Sequence, residues 1–333
     1  MTSTERVYNR LAGKPVDKIP NLNIFMFIVA REAGATYRRF VQDYRKLVEG
    51  NLICAEKYGI DCVGVISDPM REASAFGVDT VFPEDGVPYA KTPLVTGEFD
   101  LSVLQRFDPM ESKQTLDRIK GCELLRQKVG KDYPVIGWVE GCIAEAADLR
   151  GLNHLLEDLA MEEDYLPEFF DIIAEQQKRF AKAQIDAGAD FIGVGNAAAS
   201  LIGPRLYEKY GLPWDKATVD YIHSCGAKVK LHICGNITPL LGLLTQVEPD
   251  IIDIDWMVDF KQAVDIFRAT KTAVSGNVDP SAVMLQGTPQ FVEEKIRHCI
   301  SVAADNTCIA AGCEVPAATP DENLLVMDRL LYV

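Results

Sequence analysis

The sequence predicts an α/β fold, a single (β/α)8 TIM barrel over residues 1–333 with a small hairpin inserted after strand 2. Three observations predict it. Short β-rich runs alternate with long amphipathic stretches eight times along the chain. Glycines and prolines fall at the joins, where helices stop and start. No G-x-G-x-x-G follows the first β-like run, which disfavours the rival open sheet with a dinucleotide site.

The first strand is expected at 20–29 (PNLNIFMFIV), followed by a helix at 35–58. The second, 62–67 (CVGVIS), leads into segment 79–100, which breaks the rhythm. There Asp85-Gly86 lies between two short β-like runs, the signature of a hairpin turn. Helix 111–130 precedes strand 134–139 (PVIGWV). Helix 163–188, closed by Gly188, precedes strand 190–195 (DFIGVG), and helix 204–225, closed by Gly226, precedes strand 228–233 (KVKLHI). Strands 250–255, 272–277 and 307–312 complete the eight, with helices at 238–247, 260–270, 288–304 and 321–331. Pro239, Pro289 and Pro320 sit in first turns behind Thr238, Thr288 and Thr319 as N-caps, where a missing N–H costs nothing.

At 333 residues and 48% hydrophobic, the chain can bury a large core. No apolar run approaches the roughly 20 residues of a membrane span, and the N-terminus lacks a cleavable apolar region. A cytoplasmic protein without membrane association is expected. The formal charge of −15 and the lack of a basic cluster with interleaved aromatics argue against nucleic acid as a partner. Nine scattered cysteines, an odd number, read as reduced thiols. Seven of them lie in apolar or helical stretches and behave as small buried hydrophobes. Cys234 and Cys313 do not fit that description.

His232 and Cys234 are two residues apart at the carboxyl end of the fifth expected strand, so their side chains share one face. Cys313 closes the eighth. In a barrel those strand ends surround one mouth, where such folds carry their chemistry. One imidazole and two thiolates form a soft set that suits Zn²⁺, and three protein ligands leave a fourth position open. The spacing alone also allows a core histidine beside a buried cysteine.

With their flanks, these residues resemble the uroporphyrinogen decarboxylase superfamily, and within it the corrinoid-dependent, methylcobamide:coenzyme M methyltransferase-like branch. The resemblance is carried by LHICGN at 231–236, DIIDIDW at 250–256, SGNVDP at 275–280, GTPQFVEEKI at 287–296 and AGCEVPAATPDENL at 311–324. It implies zinc held by His232, Cys234 and Cys313, and a methyl group passed between a corrinoid and a small thiol or methylated compound. It further implies that a separate corrinoid protein carries the methylated corrinoid (cobalamin), since no D-x-H-x-x-G segment occurs here. The decarboxylase itself is the first alternative, a lyase acting on a tetrapyrrole. Asp68 matches its pyrrole-binding aspartate, but Arg31-Glu32-Ala33-Gly34-Ala35 lacks the second arginine of its carboxylate-gripping segment. The tyrosine expected after strand 3 is also missing from VEGCIAEAADLRG. A non-catalytic zinc-binding module that docks a corrinoid protein is the second alternative.

Other polar residues near strand ends are candidates by position. Asp255, on one face with Asp253, is a candidate fourth ligand or a carboxylate orienting His232, and Glu140 a candidate ligand or base. Asp68, Asn196, Asn277 and Met26 are expected to line the pocket. Arg31 and Arg71 read as surface arginines, with binding of an anionic substrate tail as the other reading. His154, His223 and His298 fall in helical stretches and read as ordinary helix residues.

Overall fold

A computed structural model describes residues 1–97 and 99–332. Seven parallel strands form one curled sheet: β1 (Val63–Gly64), β4 (Val135–Glu140), β5 (Phe191–Gly195), β6 (Lys228–Ile233), β7 (Ile251–Ile254), β8 (Ala273–Val278) and β9 (Cys308–Ala311), in that spatial order. Neighbours in space are neighbours in sequence, as the βα rhythm requires. Between β1 and β4, β2 (Thr80–Val81) pairs antiparallel with β3 (Tyr89–Ala90), with Asp85-Gly86 in the connection.

Strand alternation sorts the side chains into two layers. Val229, Leu231 and Ile233 of β6 join the large cluster between sheet and helices. On the other face, Ile136, Phe191, Ile251, Ala273 and Cys308 form a small inner layer with Val7 and Leu22. Five strands thus each contribute one inward residue, the stacking of a filled barrel interior.

The expected first strand differs. Residues 20–29 form no ladder: Asn21 makes one parallel bridge to Ile309, and Phe27–Glu32 is a helix. The reason lies in the partners this backbone finds. Pro20 has no N–H to give. The N–H of Asn21 donates to Asp61 Oδ2 at 2.8 Å, and that of Ala311 to Asn23 Oδ1 at 2.6 Å. Side-chain acceptors take the bonds that a ladder would use. The eight-strand expectation therefore becomes a seven-strand sheet flanked by a buried extended segment.

Helix 35–58 is split into Tyr37–Gln42 and Tyr44–Tyr58, because Asp43 leaves helical geometry and caps the second piece through Arg45 N–H. Four further helices not expected from the sequence, Ser3–Leu11, Arg71–Phe76, Cys142–Arg150 and Leu152–Met161, also form. Among the described residues no helix is long and apolar enough to cross a membrane.

Candidate metal centre

Strand β6 places the first two ligands. Lys230 and His232 point to the same face, and Cys234 follows one residue beyond the strand. Cys313 arrives from β9 by way of Gly312. A Cβ at Gly312 would meet the Trp256 backbone nitrogen at 2.2 Å, so only glycine lets the end of β9 lie against the Asp255-Trp256 backbone. The Gly312 N–H donates to the Val278 carbonyl at 2.8 Å and fixes the approach.

The three ligand atoms converge. His232 Nε2 lies 3.1 Å from Cys234 Sγ and 3.7 Å from Cys313 Sγ, and the two sulfurs are 3.7 Å apart. A tetrahedral zinc with ordinary bond lengths would set sulfurs about 3.8 Å apart and nitrogen about 3.6 Å from each sulfur. Two sides of the observed triangle match that size, and the third, from His232 to Cys234, is about 0.5 Å short of it. Among the described residues it is the one His/Cys/Asp/Glu group close enough to hold a metal. Both cysteines are free thiols.

Behind the ring stands a carboxylate. His232 pairs in register with Asp253 of β7, and its Nδ1 lies 2.9 Å from Asp253 Oδ2. This contact turns Nε2 toward the two sulfurs. Lys230 Nζ sits 3.4 Å from Asp253 Oδ1 and donates to the Leu22 carbonyl at 2.9 Å. Burial disfavours charge on Asp253, but Lys230 and His232 outweigh it and hold the carboxyl below its usual range. Burial likewise opposes charge on His232, yet Asp253 and Cys313 lift the ring to about 10. Cys313 is shifted toward thiolate by the hydrogen bond from Cys234 and, against burial, by His232. Cys234 is shifted the other way, by Cys313, by burial and by the nearby charges of Asp255 and Glu140. The shift at Cys313 favours the thiolate, the form in which a sulfur binds a metal, and the imidazole would release its Nε2 proton to do the same.

The remaining candidates separate cleanly. Asp68, Glu140 and Met26 line a cavity of about 170 Å³ together with His232, Cys234 and Cys313. Asp255 does not orient His232: its Oδ2 accepts from Gly235 N–H at 2.8 Å, next to Cys234, and Oδ1 from Met257 N–H at 3.3 Å. Asn196 and Asn277 are outside the cavity lining. Asn196 donates to Asp215 and accepts from Ala144 N–H. Asn277 donates to the carbonyls of Asp255 and Val258. Both brace loops by satisfying backbone or buried carboxylate groups.

Four contributors escaped the sequence reading: Lys230, Asp253 as the partner of the ring, Trp138 and Glu314. An inward lysine two residues before His232 was the available signal, since a buried ammonium demands a carboxylate nearby. The Trp138 indole lies across Gly193 and Gly195 of β5. A Cβ on Gly193 would strike the ring at 2.0 Å, and one on Gly195 at 3.0 Å. Its Nε1–H donates to Glu140 Oε1 at 3.0 Å. Burial and the charges of Glu72 and Asp148 hold the Glu140 carboxyl well above its usual pKa.

A curled parallel sheet with a His/Cys/Cys set at its carboxyl-terminal mouth defines a TIM-barrel-like protein with a candidate metal centre. The chain belongs to the uroporphyrinogen decarboxylase (URO-D) family, whose model matches residues 2–330. It is 29% identical over 332 residues to the methylcobamide:CoM methyltransferase MtbA of Methanosarcina acetivorans, covering 98% of this chain and 96% of that protein. A uroporphyrinogen decarboxylase of Synechococcus is 26% identical, covering 81% of this chain and 80% of its own length. Among solved structures, a methyltransferase from Methanosarcina mazei superposes with a TM-score of 0.89 at 21% identity, over 98% of this chain and 97% of that one.

Proposed function

We propose that this chain is a zinc-dependent methyltransferase, acting as a single domain between a corrinoid protein and a small thiol or methylated substrate. The observation that carries the reading is the 3.1–3.7 Å triangle of His232, Cys234 and Cys313 opening onto a cavity. The relatives named for methyl transfer from methylcobamide support it. Zinc held there would supply the Lewis acidity that keeps an incoming thiol deprotonated at neutral pH.

The chain's own residues do the rest. Asp253 fixes the His232 ring, and Lys230 keeps that carboxylate charged. Met26, Ile24 and Ile66 wall an apolar space that holds the reacting group and excludes water. Asp255, accepting from the N–H groups of Gly235 and Met257, would hold the turn that carries Cys234. In the thiol-methylating direction a sulfur–carbon bond forms as the cobalt–carbon bond breaks. The electron pair stays on cobalt and the thiol proton leaves to solvent. Exposed Leu201, Trp256 and Met257, on the connections after β5 and β7, offer apolar contact to a methyl-carrying protein at the mouth. A tetrapyrrole decarboxylase would leave the triad idle.

The test is metal analysis joined to turnover. One zinc per chain is expected, with chelation abolishing methyl transfer from methylcobalamin to thiols and added zinc restoring it. Cys313→Ser should lose both metal and activity. A metal-free preparation with full activity, or a zinc-loaded one inert toward every thiol and methyl donor, would overturn the proposal.

A further inference from the structure

The cavity beside the triad has a one-sided electrostatic character. Three carboxyl side chains line it, those of Asp68, Glu140 and Glu314, while the other walls are apolar or are the triad itself. Among the described residues no lysine or arginine lines it. The two arginines that the sequence offered for an anionic tail are engaged elsewhere. Arg71 is buried, donating to Ser67 Oγ and to the Val41 carbonyl at 2.5 Å, and paired with Asp68 at 2.7 Å. Arg31 donates to the carbonyls of Ala317 and Thr319 and pairs with Glu32 and Asp321.

The aromatic wall is built to stay. Gly193 and Gly195 form a shelf without side chains on which the Trp138 indole rests, with its N–H on Glu140. Its flat electron-rich ring next to a carboxyl is a seat that favours a positive or neutral group over a negative one.

Resting on the methyl-transfer reading, we infer that the site selects thiols whose tail carries no negative charge, and favours a cationic ammonium tail over an anionic sulfonate or carboxylate. The sulfur goes to the triad. The tail meets Glu140 and the Trp138 ring in place of an arginine clamp. An anionic tail would give up its water to enter a cavity whose walls offer no cation in return, and so loses about tenfold or more in affinity.

Three thiols with the same two-carbon chain isolate the tail: 2-mercaptoethanesulfonate, 2-mercaptoethanol and 2-aminoethanethiol. Binding is read from the thiolate-to-metal charge-transfer band of the cobalt(II)-substituted protein, and transfer from methylcobalamin with the zinc protein. The aminothiol and the neutral thiol should each bind at least about tenfold more tightly than the sulfonate. Equal or tighter binding of the sulfonate overturns the inference while leaving the methyl-transfer reading intact. Failure of all three to bind or react overturns that reading and this inference with it. Val87 lines the cavity yet is 40% exposed, so Val87→Lys can add a cation at the rim without burying it. That variant should narrow the gap between sulfonate and neutral thiol several-fold. A folded Val87→Lys protein with an unchanged gap would show that charge is not what selects the tail.

Discussion

Asp253 Oδ2 lies 2.9 Å from His232 Nδ1, across two neighbouring strands at the same register. The contact belongs to the sheet itself and not to a loop, so the ring is oriented wherever β6 and β7 pair. Asp253→Asn keeps the shape and removes the charge. It should weaken zinc binding by about 10–100-fold, measured by competition with a chelating dye. Unchanged affinity in the folded variant would assign Asp253 to Lys230 alone.

Gly312 sets the position of Cys313. Gly312→Ala places a methyl 2.2 Å from the Trp256 nitrogen, and backbone cannot yield as a side-chain tip can. A loss of about 1–3 kcal/mol in urea unfolding is expected, together with faster zinc release to a chelator. Wild-type zinc retention would mean that the Cys313 segment is placed by other contacts.

The shelf under Trp138 is testable in the same way. Gly193→Ala would push a Cβ to 2.0 Å from the indole. The ring must move into the cavity. Its fluorescence should shift, thiol binding should weaken, and the zinc content should stay at one per chain.

Buried acids give the protein a distinct pH response. Burial and Glu72 raise Asp148 to about 8, and burial with Asp68 raises Glu72 to about 7. For each, the folded state binds the proton more tightly than the unfolded chain does. Their contribution is complete at low pH and is lost as pH climbs through the folded pKa. Between about pH 5 and 8.5 wild-type stability should therefore fall relative to Asp148→Asn. Thermal melts of both proteins across that range would expose it, and parallel curves would remove Asp148 from the account.

Periodicity and punctuation reveal most of this fold before any coordinates. Seven of the expected strands coincide with ladders, β1 and β4 to β9, because each is a short apolar run flanked by turn residues. Segment 20–29 misleads because hydrophobic alternation reports burial, which Leu22 and Ile24 have, and not hydrogen bonding, which Asp61 and Asn23 intercept. The helix Cys142–Arg150 is hidden because it is buried on nearly all sides and shows no polar stripe. At the site, His232, Cys234 and Cys313 are legible from residue type and strand-end position. Which of Asp253 and Asp255 meets the ring depends on the β6–β7 register, a relation between strands that no single-strand pattern contains.

Cys234 and Cys313 are 79 residues apart in sequence and 3.7 Å apart in space. The chain between them contains β7, β8 and β9, almost half the sheet. An ion gripping both sulfurs would close that run into a ring and withdraw from the unfolded chain the freedom of a long loop. The two sulfurs would then act as a clasp on about a quarter of the molecule. Stripping the metal should loosen amide exchange in β7 to β9 well before it is felt in β4 and β5, so that the state of the cofactor is written into the local order of the scaffold.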